Sequence, residues 1–319
     1  MRVGQNPAKF VKHVVKPARI TVAVLNYIPF LNGFYADMLN VLKANLTSIW
    51  NHSDLPYDLM VFDNASCAEV RQYLLGEHEA GRIQYLVLSD KNVGKGGAWN
   101  VILGGAPGEI IAFTDNDCFF YKGWLSRSLE LLEHYPNAGM VTARPFHTKP
   151  ELFSNTLRWA ENEPEATVES GKLIPWETIR AFDLSLGQDE DDIRRRYEET
   201  DAWRVTYRGV PAMAGASHYQ FMSYKAVLRQ FLPFDMDRPM GQVRQLDQRM
   251  NEQGLLRLMT VEPLMMNMSN TLPGGQIMSE RNAPVNTKLN AGRRLLEFPP
   301  TRKIFMSLYD WIFDTYYRS

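Results

Sequence analysis

Cysteine is nearly missing from this chain: Cys67 and Cys118 are the two in 319 residues. That is too few for a disulfide scaffold and suits a reducing compartment. An excess of charge of one sign is lacking as well. The formal net charge is -1, whereas a dedicated nucleic-acid binder shows a basic surplus. No segment approaches the ~18 to 20 apolar residues that a membrane-spanning helix needs. The N-terminal stretch has no continuous apolar core of the signal-peptide kind. A soluble, cytoplasmic chain is therefore expected, and the N-x-[ST] matches at Asn45, Asn51, Asn64 and Asn267 carry no weight there. Zinc patterns such as C-x-x-C are absent and the histidines (His13, His52, His78, His134, His147, His218) are scattered, which argues against a zinc enzyme. No G-x-G-x-x-G follows the first apolar segment, which excludes the usual dinucleotide fingerprint. Repeats and low-complexity tracts are missing too.

What is present is apolar and rhythmic. Hydrophobic residues make up 45% of the chain and aromatics 12%, enough for one large α/β domain with additions. "ITVAVLNY" (20–27), "YDLMVFDNAS" (57–66), "IQYLVLS" (83–89), "GEIIAFTDND" (108–117) and "AGMVTARP" (138–145) read as strands or strands entering loops. Between them lie helical patterns, such as Tyr35, Met38, Leu39, Leu42, Leu46 and Ile49 on one face. Strands that are apolar throughout belong in a parallel sheet covered on both faces. Their alternation with helices predicts a doubly wound, mostly parallel α/β sheet.

The chain divides into a basic arm (1–19), this α/β half (20–145), a helical and irregular insertion (146–210), a second half (211–270) and a helical tail (271–319). In the arm, Arg2, Lys9, Lys12, Lys16 and Arg19 precede the first acidic residue, Asp37. A solvated lead-in is the favoured reading, which leaves room for peripheral membrane contact. The run "GQDEDDIRRRYEE" reads as a solvated helix face with Glu190–Arg194 and Asp191–Arg195 pairs. The tail stripe Ile304, Phe305, Leu308, Trp311 and Ile312 reads as a helix packed on the body.

Ligands of doubly wound sheets sit at the carboxyl ends of the strands. There the sequence puts Asn26, Asp63, Asn92 to Gly97, Asp115 and Asp117. Two carboxylates one residue apart repel unless a cation lies between them. A lone D-x-D is a weak signal, since aspartate is also a common turn former. Hard divalent cations take carboxylate oxygens and share their shell with substrate phosphates. The glycines of "NVGKGGAWN" let backbone approach a ligand closely, and amides at the helix start can face a phosphate. In chain order, these pieces describe a nucleotide-diphosphate pocket with a metal.

The series "VLNY", "VFDNAS", "NVGKGGAWN" and "FTDND" resembles the Rossmann-like, nucleotide-binding half of GT-A fold glycosyltransferases of family 2, over about 20–145. The resemblance implies a transferase using a nucleoside-diphosphate sugar of UDP or GDP type, with Mn²⁺ or Mg²⁺. By that likeness Asp63 contacts the base, and Asn26 lines the same pocket with the backbone near Val24. Asn92 and Gly94 lie beside the nucleotide. Asp115 sits near the ribose or donor sugar, and Asp117, with Asp115, ligates the metal. Lys95 is an extra phosphate contact or a solvated lysine. The acceptor is a glycan, a lipid-linked sugar or a protein.

Family members carry Glu-Asp at a helix start, before an Arg and a terminating Gly. With Arg249 and Gly254 aligned to these, Gln242 and Val243 stand in that place. The carboxylate moves to Asp247, four residues on and on the same helix face. Asp247 is the expected base of an inverting transfer, with Asp235 and Asp237 as competitors. Relatives often supply a late histidine near the metal, where this chain has Asn267 and Asn270. His218 is the histidine nearest the expected acceptor, where a structural role is the commoner reading. The missing Glu-Asp and His support an alternative, a non-catalytic nucleotide-sugar binder. A sugar nucleotidyltransferase ranks lower, because "NYIPFLNGF" lacks the Arg and the Gly cluster that such enzymes place after the first strand.

Overall fold

The computed structural model describes residues 4–237 and 243–272. The tail expected to be helical lies, from residue 273 on, outside them. Four of the apolar segments form parallel strands: β1 (Ile20–Asn26), β2 (Tyr57–Asn64), β3 (Tyr85–Ser89) and β4 (Ile110–Asp115). Helices α1 (Met38–His52), α2 (Ala68–Glu79) and α3 (Gly94–Gly105) connect them. A short β5 (Cys118–Phe120), helix α4 (Trp124–His134) and strand β6 (Ala138–Thr142) follow.

The continuous apolar runs of β1, β2 and β4 are explained by a core on each face, whereas β3, at the sheet edge, leaves Tyr85 and Leu88 exposed. From β1, Ile20, Val22 and Val24 join one cluster with Leu42, Leu46 and Ile49 of α1 and Leu125 and Leu132 of α4. Ala23 and Leu25 point the other way, into a cluster with Trp99 and Ile102 of α3. β2 divides likewise, with Leu59 and Val61 on one side and Met60 and Phe62 on the other. Burial of both faces removes the polar alternation of a half-exposed strand.

The insertion contains helices α5 (Ser154–Asn162), α6 (Trp176–Ser185) and α7 (Glu190–Glu199), and it also contributes strands β7 (Ala166–Gly171) and β8 (Ala202–Tyr207). Then come β9 (Val210–Ala214), β10 (Gln220–Tyr224), α8 (Lys225–Leu228), α9 (Val243–Glu252), β11 (Leu256–Met259) and β12 (Met265–Asn267). The ten-stranded sheet has the order β3-β2-β1-β4-β10-β6-β11-β9-β8-β7, and β12 pairs with β5 apart from it. β10 is antiparallel to both β4 and β6. Its start therefore lies at the carboxyl end of its neighbours, where the parallel strands deliver their loops.

Two expectations for the insertion change. β7 and β8 escaped the sequence reading because "ATVESG" alternates instead of running apolar, as fits an antiparallel edge wetted on one side. On α7, where Ile193 is buried, the expected Glu190–Arg194 and Asp191–Arg195 pairs give way to contacts with other partners. Glu190 accepts from Arg180 of α6 at 2.6 Å, Arg195 pairs with Asp192, and Arg194 lies 4.3 Å from the Trp176 ring centroid. Contacts across to α6 thus join an i to i+3 pair and a 3.9 Å Arg194–Glu198 pair on this face.

Candidate active site

β4 ends on Asp115, and every residue of the following turn is held. The Asp115 N–H donates to the Tyr219 carbonyl (2.9 Å), just before β10. Asn116, buried, donates to Asn26 Oδ1 at 2.6 Å. The Asp117 carbonyl accepts from Met268 N–H at 2.7 Å, and the Cys118 carbonyl from Asn45 Nδ2 at 2.6 Å. Ser48 Oγ accepts from Phe120 N–H, and His52 Nδ1 donates to the Phe120 carbonyl. Polar residues of α1 thus hold β5, while β12 pairs with its other side and sets Asn267 opposite Cys118. Asn267, where relatives often carry histidine, is accordingly brought next to the Asp117 turn.

Lys95 is the cation at the two aspartates. Its Nζ lies 2.5 Å from Asp115 Oδ2, and its side chain is 11% exposed, beside the rings of Trp99 and Phe113. This lysine is ion-paired, not solvated. The Asp117 carboxyl is pushed up to about 7, by burial first and then by the neighbouring Asp115, with Lys95 pulling the other way. One ammonium therefore leaves the pair short of positive charge. Hard oxygen donors with such a deficit suit a divalent cation. Among the described residues no three Asp, Glu, His or Cys side chains converge, so Asp115 and Asp117 are the carboxylates that those residues bring to this turn.

The expected nucleotide contacts are placed less simply. Asp63 is 0% exposed and accepts from Asn26 Nδ2 (2.8 Å), Ser66 N–H (3.2 Å) and Arg71 Nε (3.2 Å). Its carboxylate fastens the strand ends instead of facing an open pocket. Asn26, also fully buried, bridges Asp63, Ser66 and Asn116. Val24 lies inside the sheet between Val61 and Thr114 with no exposure, so its side chain belongs to the core. Asn92 Oδ1 caps the Gly94 N–H (2.8 Å) and accepts from Asn64 Nδ2 (2.9 Å), while Asn64 Oδ1 takes the Val93 N–H. Gly94 turns the chain at φ +69°. A Cβ on Gly96 would stand 2.6 Å from the Asp235 carbonyl, and one on Gly97 would stand 3.0 Å from Met236. Gly96 thus leaves room for the 234–236 segment, and Gly97 for Val93 and Met236.

A second group gathers at a cleft of about 570 Å³ whose lining includes His147, Thr148, His218, Arg244 and Asp247. Asp247 of α9 is 3% exposed. Its Oδ2 accepts from His218 Nδ1 (2.7 Å) and its Oδ1 from Arg257 Nη2 (2.5 Å). Arg257 is 0% exposed and also donates to the carbonyls of Ala216 (2.7 Å) and Leu152 (2.6 Å). Burial pulls its guanidinium down from its ordinary value and Asp247 opposes this. Asp235 and Asp237 are exposed and belong to the segment beside α3, away from this lining. His218 and Asp247, read separately in the sequence, thus form a pair, and Tyr219 joins them to the Asp115 turn.

Sequence reasoning missed Arg257, Asn116 and Asn45. Arg257 gave a signal: an arginine inside the apolar strand "LLRLM" must find a buried partner. Asn116 gave none, because any residue fits between two aspartates.

A family profile described as Glycosyl transferase family 2 matches residues 27–190. No curated protein sequence matches the chain significantly. Among solved structures, residues 1–349 of S. aureus TarS are similar at 13% identity and TM-score 0.46, covering 78% of this chain and 60% of that one. The same fragment in complex with UDP gives 13% identity and 0.47, covering 78% and 59%. Mannosyltransferase PcManGT from Pyrobaculum calidifontis, in complex with GDP-Man and Mn²⁺, gives 18% and 0.43, covering 78% and 56%. The chain spans less than two thirds of each.

Proposed function

The chain belongs to glycosyltransferase family 2, and from that premise we propose that it moves a sugar from a nucleoside diphosphate to an acceptor hydroxyl, with a divalent metal. The observation that carries the reading is the junction of Asp115, Asp117 and Lys95 at the end of β4, within the span matched to the family. Asp115 and Asp117 would hold Mn²⁺ or Mg²⁺. When bound, that ion neutralises charge developing on the leaving diphosphate, the kind of electrostatic help that is usually the largest catalytic contribution.

The chain's own residues do the rest. Lys95, steadied by Asp115 and the rings of Trp99 and Phe113, supplies a fixed positive charge next to the leaving group. Asn26, Asp63, Ser66 and Asn116 lock the strand ends, so no reorganisation accompanies reaction. The donor base contact sought for Asp63 passes, on this reading, to backbone of the loop that Asp63 braces. UDP or GDP sugars are the donors to test, against glycan, lipid-linked or protein acceptors. Helices α5–α7 and the cleft beside His218 form the acceptor side.

The test is release of nucleoside diphosphate from a panel of UDP-, GDP- and dTDP-sugars, with and without Mn²⁺. Asp117→Ala should lower turnover about a hundredfold or more, equivalent to ~3 kcal/mol, with an unchanged circular-dichroism spectrum. Equal rates for the variant and the unaltered protein would refute the reading. Donor binding with neither hydrolysis nor transfer would leave a binding protein in its place.

A further inference from the structure

Resting on the glycosyl-transfer reading, we infer that His218 takes the proton from the acceptor hydroxyl and that Asp247 positions it. The aligned Glu-Asp place is vacant of carboxylates, and Asp247 itself is unsuited to act directly. Both of its oxygens are engaged, one by Arg257 and one by His218, and the residue is 3% exposed. A carboxylate only accepts hydrogen bonds, so His218 Nδ1 carries the hydrogen that Asp247 receives. That leaves the Nε2 lone pair as the acceptor.

Three features turn this pair toward chemistry. The His218 side chain is 29% exposed and lines the cleft. Arg257, itself fixed by the Ala216 and Leu152 carbonyls, holds Asp247 so that the imidazole keeps one tautomer. The residue after His218 accepts the Asp115 N–H through its carbonyl, which fixes the histidine turn to the donor-side turn. The other charged or titratable groups of the cleft are His147, Lys149, Glu151, Arg244 and Glu252.

In the step, Nε2 of His218 accepts the hydroxyl proton as the acceptor oxygen bonds to C1 of the sugar. The bond between C1 and the diphosphate oxygen breaks, and its electron pair leaves with the nucleoside diphosphate. The resulting imidazolium faces the Asp247 carboxylate and later gives its proton to water. A single displacement inverts the configuration at C1.

The experiment uses the full chain and the same UDP-, GDP- and dTDP-sugar panel, with turnover to water or acceptor and donor affinity measured separately. His218→Gln should keep donor affinity within about threefold and lose about 100-fold or more in kcat. Added imidazole should restore part of the rate of His218→Ala. Asp247→Asn should lower kcat and change the ¹⁵N tautomer signature of His218. Near-normal kcat in His218→Gln, failure of imidazole to rescue, or loss of donor affinity in that variant would overturn the role of His218 while leaving glycosyl transfer intact. If the unaltered protein neither binds nor turns over any donor, the parent reading fails and the dyad's role falls with it.

Discussion

At Asn26 one buried amide ties three segments together. It donates to Asp63 at the end of β2 and to Ser66 just after it, and accepts from Asn116 between the two aspartates. Asn26→Ala leaves Asp63 and Asn116 short of partners away from water. It should cost about 1 to 3 kcal/mol in urea unfolding and loosen the Asp115 turn with no change of charge. Arg257 carries a larger penalty. Arg257→Met strands the buried Asp247 carboxylate and should cost about 3 to 5 kcal/mol, which denaturant titration measures. His147 supplies a pH dependence. Burial first, then Lys172 and Arg196, pull its imidazole below its ordinary 6.5, so the fold prefers it neutral. Its stabilising contribution is complete above pH 6.5 and is lost as pH falls through the depressed folded value. His147→Gln should flatten the acid side of the stability curve, read as melting temperature between pH 7.5 and 5.

Among the elements, α3 carries glycines whose packing role the sequence does not reveal. The glycines of "NVGKGG" read as an approach path for phosphate, yet Gly96 and Gly97 admit Asp235 and Met236. No pattern in the sequence links residue 96 to residue 235, a long-range contact that only the fold creates. Gly96→Ala should therefore destabilise by about 1 to 3 kcal/mol. Gly104→Ala, whose new Cβ would meet Leu232 at an ordinary 3.6 Å, should stabilise by about 0.5 to 1 kcal/mol in the same thermal measurement. Asn45 teaches the same lesson. It reads as an N-x-T match, whereas its amide holds the Cys118 carbonyl from the buried face of α1. β7, at the sheet edge, and β8 beside it were illegible for a different reason, since strands that leave alternate residues part-exposed lack the apolar run that marked β1, β2 and β4.

For the whole molecule, the parallel half was readable because burial on both sheet faces writes itself into composition residue by residue. The carboxyl-end positions of Asn26, Asp63, Asp115 and Asp117 followed from that topology alone. Which of them face a ligand did not follow, because it depends on partners such as Arg71, Asn116 and Lys95 that arrive from other elements. The joining of His218 to Asp247 is of the same kind: 29 positions separate them in sequence, and antiparallel β10 brings the histidine to the strand-end edge. Most directly tested is whether the Asp115–Asp117 turn holds a metal-bound nucleoside diphosphate. Isothermal titration of UDP and GDP, with and without Mn²⁺, should show Mn²⁺ strengthening one of them at least tenfold in the unaltered protein and not in Asp117→Asn. Equal affinities in both proteins, or binding indifferent to Mn²⁺, would contradict it.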